Sequence, residues 1–137
     1  MGYRDLSNED LSEKGVTMAR ALRALAREMM ATDEKLRSRC DRENEMAKTE
    51  QAKNQLRQSC NDESLKATQN FLAQYEEKYR AEVLILREEM LRRLPELRQK
   101  AAPPVLASYP TNALGLREVA STLEVLAKLL PKMPSKA

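Results

Sequence analysis

Between Asn8 and Leu94 the chain contains no proline, and Gly15 is its only glycine. A stretch this long without a breaker, filled with Ala, Leu, Glu, Gln, Lys and Arg, has little choice but helix. Ser7 supplies the start. With Asp10 three residues on it makes a shortened capping box, Glu9 and Asp10 place negative charge on the first turn, and Leu6 can staple to Leu11. Acid-before-base pairs at i,i+4 recur along the run: Asp10/Lys14, Asp33/Arg37, Glu76/Arg80, Glu88/Arg92 and Glu89/Arg93. Each contributes only about 0.3 kcal/mol, yet all favour the same conformation.

Two apolar stripes with three- and four-residue steps sit near the ends of this run. The first comprises Leu11, Met18, Leu22, Leu25, Met29 and Leu36. The second runs from Leu65 to Ala101 through Leu72, Tyr75, Tyr79, Val83, Leu86, Met90, Leu94 and Leu97. Stripes of this period lie on one helix face and need other helices against them. With 4% aromatic residues, no Trp and one Phe, thin helix-on-helix packing suits the chain better than a thick globular core. The stripes are therefore expected to mediate self-association, as a homodimer or a larger oligomer.

Between the stripes the same spacing meets Asn44, Gln51, Asn54, Gln58 and Asn61, all polar and uncharged. One reading is a continuous helix with a weakened, register-setting seam. At ~1.5 Å per residue it would run on the order of 130 Å. The alternative is a hairpin that turns at Cys60-Asn61-Asp62, where Asn and Asp can end one helix and cap the next, packing 11–58 against 64–97. The absence of Gly and Pro favours the continuous helix.

Pro95 interrupts the pattern and implies a kink or a restart with Pro95 in the first turn. The region 8–102 is thus read as one helical unit after a 1–7 tail and cap, followed by a Pro-rich connector at 103–111. A second, amphipathic helix over 112–130 is capped by Thr111 or Asn112 and closed by Pro131, ahead of a disordered 131–137 tail. It is expected to dock near Leu86 to Leu97. Its face of Leu116, Val119, Leu123, Leu126 and Leu130 is expected to help form a partner-binding groove.

The chain has no histidine, which removes the commonest general base and every Cys-His or Ser-His pair, and its three glycines form no phosphate loop. Glu76/Glu77 and Glu88/Glu89 are adjacent carboxylates that diverge around a helix and read as surface charge. No catalytic residue, metal site or cofactor is expected. Cys40 and Cys60 lack metal-ligand spacing, and with no secretory pattern at the N-terminus they read as free thiols in a reducing, cytoplasmic compartment.

Arg20, Arg23 and Arg27 form one basic cluster, and Arg92, Arg93, Arg98 and Lys100 another. The balance of 24 basic and 21 acidic residues, interleaved, disfavours nucleic acid, and without a polybasic run membrane-surface binding would be weak. The expectation is an all-α, elongated chain: a coiled-coil-like long helix, or long hairpin, plus a short docking helix. Its function would be a non-enzymatic scaffold binding itself and another protein. A membrane-surface scaffold is the competing reading, and a nucleic-acid accessory protein the weaker one.

Overall fold

The computed structural model describes residues 2–96 and 110–132. A 3-10 turn at Tyr3–Asp5 leads into α1 (Asn8–Met46), α2 (Glu50–Tyr75), a π-helical turn (Glu76–Arg80), α3 (Ala81–Arg93), α4 (Ala113–Leu129) and a 3-10 turn at Leu130–Lys132. The fold is all-α and elongated. It is a long helical hairpin, with α4 laid chiefly along α1.

The helix ends follow their caps. Ser7 Oγ accepts the Asp10 amide at 3.1 Å, and Asn112 Oδ1 accepts the Gly115 amide at 2.9 Å. The turn of the hairpin is Ala47-Lys48-Thr49, so both the continuous helix and a bend at Cys60-Asn61-Asp62 are corrected. Thr49 is the cause: extended at φ −125°, ψ 154°, it accepts the Ala52 amide through Oγ1, and Glu50 lies in the first turn of α2. Asn61 and Asp62 lie mid-helix on the solvent face. Asn44, Gln51, Asn54 and Gln58 are also exposed and form no seam.

From α2 to α3 the helix is unbroken but includes the π turn. Tyr75 and Val83 are eight residues apart, and in a plain α-helix they would differ by about 80° in direction. One residue absorbed in a wide turn leaves seven effective steps, within about 20° of two full turns. Both side chains accordingly reach the core, each 1% exposed. Leu94 then leaves the helix at φ −124°, ψ 63°, and Pro95 and Glu96 are helical again, the restart expected at that proline.

The core is built at one end of the hairpin. Leu11, Leu22, Leu86, Met90, Leu116, Leu123 and Leu130 are at most 1% exposed, and each fully buried Leu contributes about 2 kcal/mol. Gly15 lets the helices close: a β-carbon there would lie 2.5 Å from Met90 Cε and 3.2 Å from Ala127 Cβ. Ser12 Oγ donates to the Ala127 carbonyl, and Arg23 pairs with Glu124 at 2.5 Å while donating to Ser121 Oγ at 3.3 Å. These contacts fix α4 on α1, so the predicted site of docking near Leu86 to Leu97 shifts toward α1.

Candidate functional site

Ten of the fourteen residues expected to face a second copy are buried within this chain: Leu11, Met18, Leu22, Leu25, Met29, Tyr75, Val83, Leu86, Met90 and Leu94. Leu36, Leu72 and Tyr79 are half-buried, and Leu97 lies outside the described residues, as do Arg98, Lys100 and connector residues 103–109. Leu116, Val119, Leu123, Leu126 and Leu130, expected to face a partner, are buried in the same core. The physical reason is the turn at 47–49. It brings the two stripes side by side, and α4 completes a head that hides them without another chain.

What the head leaves over is the rest of the hairpin. No residue from 30 to 74 is buried, so this arm is two helices thick with no interior of its own. Its inner side is a half-buried row of Leu36, Cys40, Ala47, Leu56, Cys60, Ser64 and Ala67. Met30, Met46 and Leu65 are exposed, at 48%, 79% and 57%. The arm carries eight basic and eight acidic residues and is electrically neutral.

Cys40 and Cys60 are joined by a disulfide across the arm, with their Cα atoms 6.3 Å apart. This corrects the expectation of free thiols and removes the ground for assigning a reducing compartment. Among the described residues, no helix is long and apolar enough to cross a membrane. Beside the disulfide, Arg39 pairs with Glu63, Ser64 Oγ donates to Asp33 at 3.1 Å, and Arg37 pairs with Asp33 at 3.2 Å. Both cysteines border an open groove of about 280 Å³ that also takes in Asp33, Arg37, Asp41, Asn44, Leu56 and Arg57. A second groove, about 790 Å³, is bordered by Ala31, Thr32, Lys35, Leu36, Arg39, Glu63 and Ala67.

A polar cluster closes the opposite end of the molecule. Glu89 is 8% exposed and accepts from Arg92 Nη2 at 2.6 Å and Arg93 Nε at 2.8 Å. Arg93 also donates to Asn8 Oδ1 and to the carbonyls of Tyr3 and Arg4, while the Tyr3 hydroxyl donates to Glu82. Burial opposes ionisation of Glu89, but the hydrogen bonds and charges of the two arginines outweigh it and hold its carboxyl below the ordinary value. Burial pushes the Tyr3 hydroxyl up, and Glu82 pushes it further. This cluster ties the first turn of the chain to α3, and every partner it uses is internal.

Arg23 and Arg93, both from the basic clusters, are thus committed to ion pairs inside the molecule, and the Glu88/Glu89 pair splits into an exposed and a buried member. Among the described residues no group of three or more Cys, Asp or Glu side chains is placed to hold a metal ion. The disulfide was missed because twenty residues separate the two cysteines, and only the correct turn brings them together. No protein-family model, curated protein or solved structure matches this chain.

Proposed function

We propose that the chain is a non-enzymatic scaffold whose work is protein–protein contact, with the arm as its contact surface and a second copy of this chain as its first partner. The supporting observation is that residues 30–74 form long helices with no buried residue, while Met30, Met46 and Leu65 stand in solvent. Ordering this much backbone costs about 1–2 kcal/mol per residue, and a two-helix layer recovers little of it by burial. Two arms packed together would make a four-helix layer in which the half-buried row becomes an interior. Neutral arms can approach without net repulsion.

Light scattering across a concentration series tests the reading. Association through exposed Leu and Met should double the mass and persist from low to high salt. Leu65→Asp, at a position exposed within one chain, should return the mass to that of a monomer without lowering helix content. A monomeric mass at every concentration would end the proposal, and association that collapses steeply with salt would point to charge-driven contacts instead.

A further inference from the structure

Apart from the apolar core, the two grooves of the arm, the polar cluster at Glu89 and the disulfide each invite a role. The disulfide carries the argument furthest. Nothing else in the arm holds α1 to α2 strongly. Arg39 and Glu63 are each nearly half exposed, Ser64 and Asp33 share one hydrogen bond, and the apolar row is only half-buried. Exposed ion pairs contribute little, and two helices that share no interior gain little stability from packing on each other. The head, by contrast, draws its buried core from residues 11–29, 75–94 and 116–130, with Tyr3, Leu6, Phe71, Leu72 and Ala113 packed against its edge and nothing taken from residues 30–70.

We infer that the Cys40–Cys60 disulfide is a reversible latch, opened by a dithiol reductant, whose loss releases the arm while the head stays folded. The bond borders an open groove, so an attacking thiolate can reach it. Arg37 and Arg57 border the same groove and favour the departing thiolate, with Asp33 and Asp41 opposing them in part. One thiolate of the reductant attacks Sγ of either cysteine, and the other Sγ leaves and takes up a proton. The second thiol of the reductant then displaces the first cysteine from the mixed disulfide. Two electrons and two protons pass to the protein, the reductant leaves as its own disulfide, and Cys40 and Cys60 become thiols. The latch operates within one chain and is read at a dilution where light scattering gives the monomer mass, because a second copy docked on the arm would itself cover it.

Hydrogen exchange read by mass spectrometry on the full chain, air-oxidised and after dithiothreitol, tests it. Amides of residues 36–64 should exchange at least tenfold faster after reduction, with those of 15–29, 83–91 and 116–130 unchanged. The Cys40→Ser/Cys60→Ser chain should show the same pattern without reductant, and reduction should go to completion in native buffer. The inference is overturned by any of four results: arm protection that survives reduction, head protection lost along with it, reduction that waits on denaturant, or an air-purified chain whose mass shows two free thiols.

Discussion

Tyr75 carries the clearest cost at a single position. Its hydroxyl is buried without a hydrogen-bond partner, and burial raises its pKa above the ordinary tyrosine value. An unsatisfied buried hydroxyl costs about 1–3 kcal/mol. Tyr75→Phe should therefore stabilise the fold by about 1 kcal/mol in urea unfolding, and a loss of stability would mean that the hydroxyl has a partner. Gly15 works the other way. Alanine there gains about 0.5–1 kcal/mol of helix propensity but must displace the buried end of Met90 and widen the 3.2 Å approach to Ala127, so Gly15→Ala should cost about 1 kcal/mol net. Gly15→Val adds two methyls against Ala127 and should cost about 2 kcal/mol by the same measurement. Glu89 sets the acid limb of stability. Its folded carboxyl titrates below the unfolded one, so its contribution is complete above the ordinary glutamate range and is lost as pH falls through the lower folded value. Glu89→Gln should flatten that limb, and Arg93→Ala, which leaves Glu89 paired with Arg92 alone and removes the bonds to Asn8 and to the Tyr3 and Arg4 carbonyls, should cost about 2 kcal/mol at neutral pH.

At the scale of the element, the turn at Ala47-Lys48-Thr49 decides the architecture through one capping side chain. Thr49→Ala should cost about 1 kcal/mol and speed amide exchange at the start of α2 while leaving the head unchanged. The caps Ser7 and Asn112, the helical run, the restart at Pro95 and the face of α4 were all legible in the sequence, because each depends on residues within one or two turns of each other. The turn was not, because Thr49-Glu50 signals a helix start without Gly or Pro to signal the preceding stop, and Asn61-Asp62 competed with it. An error of about a dozen residues at the turn propagates everywhere. It hides the pairing of Cys40 with Cys60, makes the exposed Asn and Gln look like a seam, and leaves the stripes apparently in need of another chain. The arm was unreadable for the same reason: which face is left over depends on which faces the turn has already brought together.

For the whole molecule, the unbroken helix from Glu50 to Arg93 has 44 residues and spans about 66 Å at 1.5 Å per residue. Small-angle scattering of the monomer should give a maximum dimension near that length, about half of what an unfolded-out rod would show. Removing residues 112–132 takes away Leu116, Val119, Leu123, Leu126 and Leu130, whose burial is worth about 10 kcal/mol together, comparable to the net stability of a domain, and bares the α1 face they cover. The shortened chain should lose cooperative unfolding altogether, whereas a detachable docking helix would leave it intact. The wide turn at Glu76–Arg80 has a further consequence for the chain's tolerance of length changes. Because one residue there is surplus to the phase of the flanking helices, deleting Lys78 should leave Tyr75 and Val83 pointing inward as before. A codon lost elsewhere between Tyr75 and Leu94 would swing part of the face into water, so length variants of this protein should be viable at that one bulge and scarce beside it.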